Sequence, residues 1–355
     1  MRIALSIAAG ALMAGLVANP MPALAQAPAA QPAAPSVPRP TLDAVRARGH
    51  LECGVHLGLP GFSFADNSGN WTGIDVDLCR AVAAAIFGDA TKVRYTPTSV
   101  QQRWAVLTSS QVDLLSRNST ITYSRDVSLG VNFVGINFYE GQTFIVRRSS
   151  GVNSVLQMDG ATICVAAGST EERQVHDYFQ ENNMRLTVIN FQRNEDAAAA
   201  YDAERCDAYT AGLGALAGQR QRLRQPDQHV ILQETISNDP QGPVVRQGDT
   251  QWADLVRWVL NGMIAAEAFG VTSQNVDQMR ANSRNAEVRR MLGVEGNFGQ
   301  MLGLSNDWLY NAIKQVGNYG ESFERTVGMQ SPLRLERGRN QLWLRGGILF
   351  TPPFQ

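Results

Sequence analysis

Lysine is almost missing from this chain: Lys92 and Lys314 are its only two, and the other cations are arginines. Lys+Arg 31 stands against Asp+Glu 32, a formal charge of −1. That balance leaves no basic excess for a nucleic-acid partner and no polybasic patch for a membrane surface. Charged residues make up 18%, too few for a disordered or coiled-coil protein. Histidine is scarce, and His50, His56, His176 and His229 show no metal-ligand spacing. The four cysteines include no CxxC pair, which argues against zinc-ribbon and thioredoxin chemistry. HExxH, GxSxG and Walker A segments are absent, and no GxGxxG follows a predicted strand. These gaps weigh against hydrolases, and no cofactor or metal is implied.

What is present is a chain of 355 residues with 44% apolar content, enough for about two domains. Its start is not part of them. Met1-Arg2, the apolar run from Ile3 to Val17 and Ala23-Leu24-Ala25 before Gln26 form a secretory signal pattern over residues 1–25. A membrane anchor needs about 20 apolar residues, and Asn19, Pro20 and Pro22 cut the run short. Residues 26–40, with Pro28, Pro32, Pro35, Pro38 and Pro40, read as a Pro/Ala-rich semi-extended linker. No later run is long and apolar enough to span a bilayer.

Export permits disulfides. Cys53 falls in the first predicted strand and Cys79 in the helix after it. Cys164 and Cys206 lie in or beside strands of the middle segment. The expected pairs are Cys53–Cys79 and Cys164–Cys206, with four buried thiols as the alternative.

Hydrophobic patterning predicts a short helix from Thr41, a strand over 51–56 and a hairpin over 62–73. A helix over 75–87, a strand over 93–96, a helix over 99–109 and a strand over 112–116 complete a β–α–β–α–β alternation. A second series has strands near 162–166, 187–190, 207–210 and 229–233, and the chain after Asp249 looks mainly helical. Such alternation implies mostly parallel sheets covered by helices. Two lobes of this kind suggest a cleft for a small ligand.

Two polar segments follow buried strands. Asn118 to Arg125 carries Thr120 and Thr122 hydroxyls and an arginine able to grip a carboxylate through two parallel hydrogen bonds. From Gly168 to Glu172, Ser169 and Glu172 form an expected capping box opening a helix, whose free N–H groups suit an anion.

LSRNSTITYSRD (115–126), GIDVDLCRAVA (73–83), GPVVRQGD (242–249) and VGNYGESFER (316–325) go beyond these generic features. With them the chain, from about Thr41 to its C-terminus, resembles the general L-amino-acid-binding proteins of ATP-driven uptake systems. These form a polar-amino-acid branch of the periplasmic solute-binding proteins. The resemblance implies an α/β fold: a two-lobed periplasmic-binding-protein type II clamp that closes on its ligand. Residues 41–146 plus 242–281 would form lobe 1, with lobe 2 (147–241) inserted. Residues 282–355 would pack on lobe 1 as a helical extension, and the crossings would fall near Val146-Arg147 and near Ser237 to Gln241. The implied life is that of a periplasmic monomer delivering an amino acid or related small carboxylate to permease subunits of the inner membrane.

The resemblance also assigns a site. Phe62 would line the pocket, and the Asn118 carbonyl would take the α-ammonium. Thr120 and Arg125 would hold the α-carboxylate, helped by Ser169 and Thr170. Arg103 and His56 match positions that approach the ligand side chain in acidic-amino-acid binders. The chain departs from the pattern at Gly212, where such proteins carry an aspartate for the ammonium; either another carboxylate substitutes, with Glu171 a candidate, or the ligand is not an ordinary α-amino acid. Ile121 also replaces a frequent aromatic residue. These departures leave open a clamp-fold enzyme such as a cyclohexadienyl-type dehydratase, or a protein that reports its ligand to a sensor.

Overall fold

The computed structural model describes residues 40–355; the expected signal peptide and nearly all of the linker lie outside the described residues. The chain begins with α1 (Pro40–Arg48), β1 (Leu51–His56) and a hairpin of β2 (Phe64–Ala65) and β3 (Trp71–Thr72). It continues through α2 (Ile74–Phe87), β4 (Val93–Thr98), α3 (Arg103–Thr108), β5 (Leu114–Leu115) and α4 (Tyr123–Ser128). Next come β6 (Val131–Phe133), β7 (Phe138–Glu140) and β8 (Gln142–Arg147). Then follow β9 (Thr162–Ala166), α5 (Thr170–Glu181), β10 (Thr187–Phe191), α6 (Asn194–Asp202), β11 (Ala208–Gly212) and α7 (Leu213–Arg220). β12 (His229–Ile231), β13 (Asp239–Gln241) and β14 (Val244–Arg246) close the sheets.

Two five-stranded sheets result, ordered β4-β1-β5-β14-β6 and β10-β9-β11-β8-β12. In each, three strands joined by helices run parallel and the other two are antiparallel to their neighbours. The sheets thus share one topology without a sequence repeat. Their central strands are buried on both faces, as β9 (Ile163–Ala166) and β11 show. That explains their continuous apolar runs. Each sheet anchors one disulfide, Cys53–Cys79 in the first and Cys164–Cys206 in the second.

The first crossing between lobes lies earlier than the sequence suggested. β8 is paired with β11 and β12 along its length, so it belongs to the second sheet. The chain crosses at β7 rather than at Val146-Arg147, and it returns through β13, which pairs antiparallel with β7. The expected crossing came from the resemblance, and only the pairing of β8 with β11 and β12 shows to which sheet β8 belongs. The helix predicted over 99–109 is shorter too, starting at Arg103 after a turn.

The C-terminal part consists of α8 (Thr250–Ala268), α9 (Val276–Asn282), α10 (Ala286–Met291), α11 (Phe298–Met301), α12 (Trp308–Val316) and α13 (Tyr319–Thr326). It packs on the first lobe. α12 lies against α2, where Gln315 bonds the backbone of Gly88 and Ala90. Buried Asp77 of α2 accepts from Ser322 (2.7 Å) and Arg325 (2.6 Å) of α13. The closing Phe354 sits edge-on to Trp258 with ring centres 5.1 Å apart.

Candidate functional site

In open α/β sheets a ligand sits beyond the carboxyl ends of the strands, and here both sheets aim those ends at one cleft. From the first, β5 runs on into Ser116–Thr120. Asn118 adopts a positive φ of 30° and donates its N–H to Asp75 Oδ2 at 2.9 Å. Asp75 also accepts from the Asn137 amide at 3.2 Å, and burial pushes its carboxyl up to about 6. The loop is therefore pinned from beneath. Thr120 forms an isolated bridge with Gln241, and Ile121 N–H donates to Pro240 O at 2.8 Å. The Thr122 hydroxyl caps α4 by accepting the Arg125 N–H.

From the second sheet, the chain leaves β9 through Gly168 at φ 73°. Ser169 caps α5 by accepting the Glu172 N–H at 3.2 Å. The return bond of the expected capping box is displaced: Glu172 accepts from Gly168 N–H, one residue before the cap.

One cavity joins these pieces. Arg103, Arg117, Asn118, Thr120 and Arg125 line one side; Ser169, Thr170, Glu171 and Asn194 line the other. Its volume is about 20 Å³, room for about one water molecule. The Thr170 hydroxyl reaches Thr120 Oγ1 across it at 3.4 Å. An amino acid does not fit in that volume as it stands.

Charge of both signs surrounds this closed space. Arg103 is 4% exposed, and its Nε and Nη2 have no hydrogen-bond partner. Its guanidinium lies over the Trp104 ring at 4.6 Å, with Arg125 at 5.6 Å from the same ring. Arg125 donates to Thr120 O at 2.9 Å, and Arg117 donates from Nε to Thr98 O at 3.1 Å. Burial lowers all three guanidinium pKa values, that of Arg117 to about 10. Of the nearby carboxylates Glu171 lines the cavity, whereas Glu140 and Asp239 do not. Burial first, then the neighbouring Glu171 and Asp239 carboxylates, push Glu140 up to about 8, although the Gly214 N–H works the other way. Among the described residues no arginine or lysine forms an ion pair with Glu140.

The sequence-derived residues divide. Arg103, Asn118, Thr120, Arg125, Ser169 and Thr170 meet at the cavity. Phe62, His56 and Gly212 do not line it. Phe62 is buried edge-on against Phe138 at 5.1 Å. His56 is buried, with its pKa well below the usual value through burial and the nearby Arg117 and Arg103. Its Nδ1 accepts the Gly58 N–H at 3.2 Å, and its Nε2 faces the Asn194 side chain across the cleft at 3.4 Å.

Gly212 has a carboxylate beside it. The space a side chain would occupy there is filled by the Glu140 carboxylate, which accepts the Gly214 N–H at 2.7 Å and a bond from the Gln241 amide. The carboxylate in that space is Glu140, while Glu171, the candidate offered by the sequence, lines the cavity itself. Sequence reasoning missed Glu140 and Arg117. Arg117 carried a signal, a cation at the end of a buried strand. Glu140 gave none, because its partners lie 74 and 101 residues away.

Residues 51–274 match the bacterial extracellular solute-binding proteins, family 3. The general L-amino acid-binding periplasmic protein AapJ of Rhizobium johnstonii is 50% identical over 315 residues, 88% of this chain and 92% of that protein. The glutamate/glutamine/aspartate/asparagine-binding protein BztA of Rhodobacter capsulatus is 45% identical over 315 residues, 89% of this chain and 93% of its own length. A solved periplasmic binding protein of an ABC transporter from Brucella ovis, with glutathione bound, is 50% identical. It superposes with a TM-score of 0.87 over 89% of this chain and 99% of its own.

Proposed function

The chain belongs to family 3 of the bacterial extracellular solute-binding proteins, and from that premise we propose that it captures an L-amino acid in the cleft and presents it to the permease of an ABC importer. The observation that carries the reading is the charge around the cavity. A zwitterion needs a cationic group for its carboxylate and an anionic one for its ammonium, both shielded from water. Arg125 with Thr120 and Thr170 supplies the first, and Glu140, which must give up its proton on binding, the second. Binding across the cleft favours the closed state, and hinge closure is the signal that a permease reads.

The ligand class follows from Arg103. A buried guanidinium with two unpaired N–H groups favours a ligand that carries an oxygen at the far end of its side chain. Glutamate, glutamine, aspartate and asparagine meet this demand, and the name of the Rhodobacter relative covers the same four. The γ-glutamyl end of glutathione, the molecule in the Brucella structure, offers the same α-ammonium and α-carboxylate. The setting of this reading is the periplasm, which the name of the Rhizobium relative also gives.

Calorimetry of the mature protein with the twenty amino acids and glutathione tests the reading. Binding should be tightest for the four acids and amides. Absence of heat with every compound, from a protein that melts cooperatively, would overturn it.

One observation favours a second reading. Glu140, pushed up to about 8, stays protonated near neutral pH, as a general acid in a clamp-fold dehydratase must. Incubation with prephenate and arogenate decides: product would replace the transport reading, and its absence removes the alternative.

A further inference from the structure

The C-terminal extension reaches the hinge as well as the first lobe. Beyond α13 the chain returns to Arg337, whose guanidinium lies over the Phe323 ring at 4.8 Å and pairs with Glu267 at 3.0 Å. Arg337 also donates to Asn340 O from both Nε (3.1 Å) and Nη2 (2.9 Å), fixing the backbone there. The Asn340 side chain is buried against the crossing strand β7. Its Oδ1 accepts the Tyr139 N–H at 2.6 Å, and its Nδ2 donates to Tyr139 O at 2.9 Å.

Register explains why Tyr139 has both groups free. It stands opposite Pro240 of β13, and proline has no N–H to give. The Pro240 carbonyl is already used on the far edge of β13 by Ile121 N–H. The Tyr139 backbone therefore points away from β13. A carboxamide carries one acceptor and a donor, as a peptide group does, so Asn340 acts as a one-residue third strand. A ladder results that runs from Asn340 through Tyr139 and Pro240 to Ile121, and both of its ends adjoin the site. Glu140 follows Tyr139, and Thr120 precedes Ile121.

We propose that Asn340 is a positioning residue of the ligand site: it straps β7 so that Glu140 and Thr120 keep the geometry that closes on a ligand. A two-stranded ribbon of three-residue strands is marginal by itself. Ligand affinity in a hinged clamp includes the free energy between open and closed states, so a looser β7 weakens binding with no ligand contact removed. The affinity arm of the test rests on the amino-acid reading; the exchange and scattering arms do not.

In Asn340→Ala, amide hydrogen exchange at Tyr139 in the unliganded protein should accelerate about tenfold or more, while Val55 and Ile145 in the two sheets keep their rates. Affinity for L-glutamine and L-glutamate should fall about three- to tenfold, and the unliganded radius of gyration should increase in small-angle scattering. Asn340→Asp, of the same size, keeps the acceptor for Tyr139 N–H but sets an oxygen against Tyr139 O. It should show the same changes in smaller measure, and it serves if the alanine variant does not fold. Unchanged exchange at Tyr139, or faster exchange with unchanged affinity, overturns the proposal. Should the parent protein bind neither amino acid, the ligand reading falls. The strap then stands only if both exchange and radius change.

Discussion

The Glu140 carboxylate lies over the bare Cα of Gly212, in the volume that any side chain at 212 would need. The two positions are therefore alternatives for one charge. Glu140→Gln should weaken amino-acid binding by about ten- to a hundredfold, the loss of a charge-assisted bond of ~1.5–3 kcal/mol. Gly212→Asp alone should weaken it as well, because the two carboxylates collide. Only the double variant Glu140→Ala/Gly212→Asp should return affinity to within about tenfold of the parent. Titration calorimetry on the three variants checks this; tighter binding by Gly212→Asp alone would remove Glu140 from the ammonium site.

Binding should release a proton. Glu140 titrates at about 8 in the closed protein, so below that pH it is mostly protonated and must ionise to pair with an ammonium. Affinity should fall as pH is lowered through 8, and the binding heat at neutral pH should vary with the ionisation heat of the buffer. Glu140→Gln should abolish both effects. The same shift acts on stability. A carboxyl whose folded pKa is raised destabilises the fold as pH climbs from the usual glutamate range to the folded value. The unliganded Glu140→Gln variant should therefore out-melt the parent by a margin that widens up to about pH 8.

Arg125→Ala should lower affinity for carboxylate ligands about tenfold or more, since a bidentate partner is lost. Its contacts in the unliganded protein are the Thr120 carbonyl and the Trp104 face. Thermal stability should thus fall by only about 1 kcal/mol. Retained affinity in isothermal titration would take Arg125 out of the site.

Arg103→Met should separate stability from binding. The guanidinium is buried, with two N–H groups unpaired, and replacing such a charge with an apolar chain of similar length is neutral or stabilising by ~1–4 kcal/mol. The variant should melt at or above the parent temperature, yet lose its preference for glutamate and glutamine over alanine. A lower melting point would mean that a partner within the fold holds Arg103.

Reduction should loosen both lobes. The Cys53–Cys79 and Cys164–Cys206 bridges close loops of 26 and 42 residues. Each should contribute about 3–4 kcal/mol by restricting the unfolded chain. Urea unfolding of the Cys53→Ala/Cys79→Ala and Cys164→Ala/Cys206→Ala variants measures each one.

Much of the cavity lining was legible because it is local. Asn118, Thr120 and Arg125 sit in one polar segment after β5, and Ser169 with Thr170 opens α5. A buried strand followed by a capped helix start is a pattern that a dozen residues reveal. The first hinge crossing was not legible. Only pairing with β13 for β7, and with β11 for β8, separates the two strands.

The chain by itself determined the alternation of strands and helices and the near-neutral charge, since each follows from short-range periodicity or from counting, and it offered the two cysteine pairs as one of its alternatives. Tertiary structure alone decided where the Glu140 carboxylate lies and what β7 is bonded to. Glu140 and Gly214 are 74 residues apart, and Tyr139 and Asn340 are 201 apart. Contacts at such separations depend on strand register and on which edge of β7 stays open. Those are properties of the folded backbone, and no local run of side chains encodes them.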